Sequence, residues 1–316
     1  MVIGLLAVIG AAAPMTPPIV PPLAWAYPFV PKQPLDSASS DKLYGVPGSV
    51  LRLTAEQADD PFNPPDWKLG DHPSMPTVVA HGRKPDICAC GLCHLTNGQG
   101  THGTVNLAGL SAAYIVQQME EMKSGRRRSS DLRRPGIQLM VNVASHATAS
   151  DIEQAAVYFS SLHFRPWIRV VESRTVPKTR AAYWGWLDAI PHGGVEAIGQ
   201  RIIELAEDPP GAGLYDPSSG FVANVPVGSL KRGKALVLTS SGRTNSCESC
   251  HGHDLRGVGD VPPLAGRSPS YLARQLWDIK TGSRSGPTLA LMQAPMTHLS
   301  EADIVDITAY LASRHP

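Results

Sequence analysis

The sequence predicts an all-α chain of two tandem helical domains joined by a long irregular linker. Three observations predict it. One short motif occurs twice, as Cys90-Gly91-Leu92-Cys93-His94 and Cys247-Glu248-Ser249-Cys250-His251. The residues that follow each copy repeat at the same offset and at helical spacing. With 29 Gly, 29 Pro and only 6% aromatics, the composition favours short helices and irregular stretches over a large sheet.

Both motif copies read C-x-x-C-H, the signature of covalent c-type haem attachment. Two thiols at this spacing can each form a thioether to one vinyl group of the same porphyrin. The adjoining imidazole then lies beneath the ring as the proximal iron ligand. A single C-x-x-C also marks zinc and thioredoxin-like redox sites. Two copies, each followed at once by His, point to haem instead. The expected covalent sites are Cys90, Cys93, Cys247 and Cys250, the proximal iron ligands His94 and His251, and the cofactors two covalently bound haem c groups. Shifting the chain by the Cys90-to-Cys247 offset lays Leu107-Ala108-Gly109 on Leu264-Ala265-Gly266 without a gap. Tyr114 then falls on Tyr271, Gln118 on Gln275, Lys123 on Lys280 and Gly125 on Gly282. A repeat of this length means two similar modules.

At 316 residues the chain can hold two domains, each with its own core. A net charge of +1 gives no whole-molecule electrostatic case for binding nucleic acid. Haem accounts for four of the five Cys, so no disulfide framework is needed. Cys88 is left over, read as a buried or partly shielded thiol, with a redox role or mispairing with Cys90 as the alternative. Residues 1–26 read as a signal peptide: an apolar start, then Leu23-Ala24-Trp25-Ala26, an A-x-A pattern before Tyr27. The usual basic first residues are missing, and the alternative of a membrane anchor is interrupted by the Pro-rich run from Pro14 to Pro22. Export to the periplasm agrees with this kind of haem attachment.

Residues 27–71 are Pro-rich and aperiodic around Asp60-Pro61-Phe62-Asn63-Pro64-Pro65-Asp66-Trp67. They read as an extended arm on the surface of the first domain, tethered by Phe62 and Trp67. The first domain spans 72–166. Its loop Asn97-Gly98-Gln99-Gly100 would wrap the haem edge, and Ser111 would cap a helix from Ala112 to Lys123 closed by Gly125. Arg126-Arg127-Arg128 with Arg133-Arg134 form a basic loop read as absent from the second domain. Such a run is ordinarily a solvated face, the alternatives being steering of an acidic partner or pairing with haem propionates. A helix from about Ser150 to Leu162 places Ile152, Ala155, Ala156 and Phe159 on one face.

Residues 167–225 have no counterpart in the repeat and form the linker. Trp167 to Val171 suggests an extended strand, and Tyr183-Trp184-Gly185-Trp186 an anchoring aromatic cluster. The second domain spans 226–316. Ser229 is expected to cap a helix from Leu230 to Thr239, with further helices from Pro269 to Lys280 and from about Ser300 to Ser313. A Pro before Leu264-Ala265-Gly266 is placed to offer its carbonyl to the His251 N–H, which fixes the ring and raises its basicity. The first domain has Val105-Asn106 there, so any equivalent bond must come from another backbone carbonyl.

The second axial ligands are sought among Met and His farther along. Met140 and Met292 correspond once the first domain is given a slightly longer loop, each at the same distance before a closing helix. A thioether there favours reduced iron and raises the potential. The alternative for any Met is core packing. Met296 competes in the second domain, but its counterpart is Ala144. His146 and His298 also correspond, which keeps bis-His ligation open, while His102, His253 and His315 are read as solvated.

These motifs resemble the dihaem c4-type cytochromes, in which two class I cytochrome c domains are joined in one chain. The likeness rests on C-x-x-C-H, Leu-Ala-Gly with Tyr and Gln following, the Met and the Asp-Ile helix, and it covers both domains. It implies electron transfer in the periplasm between redox proteins. Upstream would be a dehydrogenase or cytochrome complex, downstream an oxidase or reductase, with association to a membrane complex an option. The arm and the long central segment depart from that pattern. A cytochrome subunit of a dehydrogenase complex is the alternative, and a dihaem peroxidase-like enzyme with one open iron a third reading. Matched Met candidates argue for a carrier and not an enzyme.

Overall fold

The structure, a computed structural model, describes residues 23–30, 41–101, 103–182, 185–239 and 244–316. The expectations for 1–22, His102 and Tyr183-Trp184 lie outside the described residues.

The first half is helical because its sequence carries helix starts. Thr54 and Gln57 form a capping box for the short α1 (Ala55–Ala58). A single turn, α2 (Thr77–Ala80), precedes α3 (Cys90–His94), so the first motif is itself a helical turn. Ser111 caps α4 (Ala112–Lys123), its Oγ accepting the Tyr114 N–H at 3.1 Å. Met140 lies within a helix, α5 (Pro135–His146). Thr148 and Asp151 box the start of α6 (Ala149–Ser160). α4 packs on α5 and α6, enclosing Ile87, Ile115, Ile152, Ala156 and Phe159. The arm is tied to this module where the Ala89 N–H donates to the Pro61 carbonyl at 2.8 Å. Its Trp67 is buried, and Nε1 donates to the Leu214 carbonyl at 2.6 Å, so the arm also grips the central segment.

That segment corrects the all-α expectation and the irregular linker with it. Its described residues hold seven strands: β1 (Ile168–Ser173), β2 (Thr175–Pro177), β3 (Thr179–Ala181), β4 (Leu187–Ala189), β5 (Val195–Ala197), β6 (Ile203–Ala206) and β7 (Phe221–Pro226). One short helix, α7 (Pro209–Gly213), interrupts them. β1 runs parallel to β7 with Ile168 opposite Phe221, and β6 pairs antiparallel on the other side of β7. β2–β5 and β3–β4 form two small antiparallel ladders. The β-branched residues of β1 and β7 suit a pleated surface that is covered on one face.

The cover is the second module. It contains α8 (Ser229–Leu238), α9 (Glu248–His251), α10 (Pro269–Lys280), α11 (Ala290–Met296) and α12 (Glu301–Ala312). One face of α12 meets α8 and α10, and the other lays Val305 and Ala309 on Ala223 and Val225 of β7. Every residue of α12 from Asp303 onward is therefore buried. Gly233 permits the crossing of α8 over α12: a Cβ there would lie 1.9 Å from the Asp306 carbonyl oxygen. Ser229 is not the cap of α8 but its first residue. Gly228, in the left-handed region at φ 86°, holds the cap position instead.

The residues on either side of the boundary expected at Ala26 are packed into the fold. Leu23, Ala26 and Tyr27 are buried in the core of the second module. The Ala26 carbonyl accepts from Arg274 Nη1 at 2.9 Å, and the Tyr27 hydroxyl donates to Asp278 Oδ1 at 2.8 Å. An apolar stretch resembling the end of a leader is here a wedge of the fold.

Candidate haem sites

In each motif the helical turn brings the two Cys and the His to one cavity wall. The first cavity is lined by Cys90, Cys93, His94, Leu139 and Met140, and the second by Cys247, Cys250, His251, Leu291 and Met292. The loops after the two motifs share one path. The Gly100 N–H donates to the His94 carbonyl at 2.9 Å, and the Gly257 N–H to that of His251 at 2.8 Å. The path takes positive φ at three matched positions in each copy, Leu95, Gly98 and Gly100 in the first and Gly252, Leu255 and Gly257 in the second, so glycine and leucine exchange places at the first two.

His251 Nδ1 lies 2.8 Å from the Pro262 carbonyl and His94 Nδ1 3.1 Å from that of Val105. A carbonyl only accepts, so Nδ1 carries the proton in both rings and Nε2 keeps its lone pair for a metal. The Pro262 contact is as expected, and Val105 supplies the carbonyl anticipated in the first module. His251 Nε2 is buried with no hydrogen-bond partner, an orphan that an iron atom would satisfy. Burial pushes His94 down to about 4, with the nearby Arg127 charge adding to the effect, and it lowers His251 too. Both rings are thus neutral at neutral pH, as metal binding requires. Burial also holds the Cys90 and Cys93 thiols up at about 12 and Cys247 at about 11.

The cavities differ in size. The first measures about 70 Å³ and is almost wholly apolar, closed by Ile115, Met119 and Phe159. The second, about 490 Å³, runs inward to the junction of the modules and includes Tyr114 and Gln118 from the first. The residues present fit a covalently held haem, with two thiols, one neutral imidazole with a free lone pair and a thioether around one apolar space. Met296 shares the second cavity wall with Met292. His146 and His298 are exposed and line neither cavity, and His146 Nδ1 bonds back to the Asn142 carbonyl. Cys88 lines the first cavity beside Cys90, its thiol raised by burial.

The basic loop read as private to the first domain is not. Arg127 and Arg284 stand at the motif offset and pair with each other in an antiparallel bridge. Both are buried, so they are not a solvated face. Their shared offset was the signal, masked by the charged neighbours of Arg127.

Comparison with known proteins agrees with this geometry. Residues 230–315 match the Cytochrome c family. Cytochrome c-554(548) of Halomonas halodenitrificans is 37% identical over 73 residues, covering 23% of this chain and 88% of that protein. The chain belongs to the cytochrome c family. Within it, cytochrome c4 of Pseudomonas aeruginosa is 42% identical over 69 residues, 22% of this chain and 33% of the relative. A thiosulfate dehydrogenase electron acceptor of Thiomonas intermedia is 25% identical over 233 residues, 73% of this cytochrome and 80% of that one. This cytochrome is c4-like, binds haem c covalently and is an electron carrier.

Proposed function

We propose that the protein is a periplasmic carrier with two haem c groups, held through Cys90 and Cys93 and through Cys247 and Cys250. His94 and Met140 would hold one iron, and His251 and Met292 the other. The observation that carries this reading is the buried, unpartnered His251 Nε2 in a cavity that also holds two thiols and a thioether. Haem c supplies a one-electron ferric/ferrous couple. The protein's own residues do the rest. The carbonyls of Val105 and Pro262 fix the imidazoles. Phe159, edge-on at 6.0 Å from the His94 ring, keeps water from the first cavity. The Met140 and Met292 thioethers, on the cavity walls, would serve as the second protein ligands and keep substrates from the metal. Two separate cores support the division at 72–166 and 226–316, the second core also taking in Leu23, Ala26 and Tyr27.

The likeness to electron acceptors of thiosulfate dehydrogenase supports a redox protein as donor, free or in a stable complex, with a terminal oxidase or reductase downstream. Among the described residues no helix is long and apolar enough to cross a membrane.

Redox titration of Met140→Ala and Met292→Ala tests the ligand assignment. Each variant is expected to lower one of the two potentials and to open that iron to external ligands. An unchanged titration in Met292→Ala passes the role to Met296.

A further inference from the structure

The loops after the two motifs follow one path, but the first is covered and the second is open. From Gly91 to Gly100 every residue is buried except the half-buried Cys93 and Asn97. In the matching stretch of the second module Ser249, Cys250, His253, Asp254 and Arg256 are all exposed. The sequences agree with this. Leu92 and Leu95 stand where the second loop has Ser249 and Gly252, and Thr96 and Gln99 where it has His253 and Arg256.

The cover comes from outside the haem-attachment unit, from the arm and the central segment. The Ala89 N–H, just before the first motif, donates to the Pro61 carbonyl of the arm at 2.8 Å. Asn97 Nδ2 donates to the Pro217 carbonyl of the central segment at 2.9 Å. Arm and segment are also fastened to each other. Trp67 is buried with Val46 and Ala58 in a small core that takes in Leu214, and its Nε1 donates to the Leu214 carbonyl at 2.6 Å. The next residue, Tyr215, donates its hydroxyl to Asp59 Oδ1 at 2.5 Å. Its backbone is in the left-handed region at φ 60°, a strain that persists only where neighbours hold it. Both partners of this bond lie near Cys93. Burial raises the Cys93 thiol to about 12, with Cys88 and Asp59 adding to the effect. Burial likewise raises the Tyr215 phenol, with Asp59 next and Cys93 after it.

A thioether holds one porphyrin edge within a bond length of the Cys93 sulfur, so whatever faces Cys93 faces that edge. We propose that the arm and the central segment form a shield over the thioether edge of the first haem, latched by Tyr215 and Asp59, so that other redox proteins reach the second haem directly and the first only through it. The inference rests on the two-haem reading above and gives the two modules different tasks. An electron from a one-electron donor passes to the second iron and from there to the first, with no proton moved and no bond broken. Electron tunnelling weakens steeply with distance, so a layer of protein over one edge directs exchange to the open one.

The test is proton NMR of the haem-loaded, oxidised full chain, with a neutral gadolinium chelate added as contact probe and haem counted chemically. The methyl signals of the second haem are expected to broaden and those of the first to stay sharp. In Trp67→Ala, which removes the anchor of the arm, both sets are expected to broaden. Tyr215→Phe removes the latch alone. It is expected to speed exchange of the Ala89 amide, held by Pro61 of the arm, roughly fivefold, the effect of one ordinary hydrogen bond. Equal broadening at both haems of the native chain would overturn the shield. First-haem signals that stay sharp in Trp67→Ala would overturn the part of the arm in it. Should that variant fail to load haem, Tyr215→Phe decides, and an Ala89 amide exchanging at the native rate would overturn the latch. A single haem in the native chain would instead overturn the reading on which the shield rests.

Discussion

The two modules share a motif, a loop path and an imidazole held by a backbone carbonyl, yet they are buried differently. α6 of the first module hides only Ile152, Ala156, Tyr158 and Phe159, whereas its counterpart α12 is covered on both sides. The second module also has a ten-residue α8 where the first has the four-residue α2, and it holds the Leu23–Tyr27 wedge. The difference teaches that the haem-attachment unit is minimal and that its stability can be supplied from outside. The first module draws on its apolar cavity and the arm, the second on the β-segment and the wedge.

The sharpest way to break that comparison is Gly233→Ala. The added Cβ meets the Asp306 backbone and the Tyr310 Cβ at 2.8 Å, so α8 and α12 must part. A loss of about 3 kcal/mol is expected in the second module, with the first little changed. Thermal unfolding followed at each haem would show this, and parallel losses in both would contradict it.

Tyr27→Phe probes the wedge. It removes a buried hydroxyl that donates to Asp278, at an expected cost of about 1–3 kcal/mol to the second module, read by denaturant unfolding. The same packing predicts that the mature protein keeps Leu23 to Ala26. An intact mass placing the terminus at Tyr27 would contradict the wedge.

The smallest effect belongs to the exposed cap of α6. Burial raises the Asp151 carboxyl, but hydrogen bonds from Thr148 and the Arg83 guanidinium outweigh it and hold it below the usual range. A carboxyl depressed in the folded state contributes stability in full above its unfolded value, about 3.9. That contribution fades as the pH falls through the depressed value. Asp151→Asn is therefore expected to cost about 1 kcal/mol near neutral pH and nothing in strong acid. A cost independent of pH in unfolding curves would remove the charge from the explanation.

The helices were legible because they carry local signals: Ser111, Ser268 and Ser300 each sit one residue before a helix and accept its N–H groups. The haem motifs were legible because their chemistry is confined to five residues. Of the sheets only β1 was anticipated, as the extended stretch from Trp167, since most strands of the segment are three or four residues long and β1 finds its partner β7 some fifty residues away. Strand pairing is decided by such distant contacts, which no local window records. The Arg127–Arg284 bridge was half legible: the offset placed Tyr114 on Tyr271 and Gln118 on Gln275, but Arg127 was read with its neighbours as one charge run. The wedge was hidden because an apolar stretch before A-x-A has the same composition whether it is removed or buried.

The most direct test of two closed, Met-ligated irons is a carbon monoxide titration of the reduced, haem-loaded chain, followed by absorption. The account predicts two haems per chain, neither binding carbon monoxide while the fold is intact. A carbon monoxide adduct at either haem in the folded protein would contradict it, revealing an iron position that Met140 or Met292 does not hold.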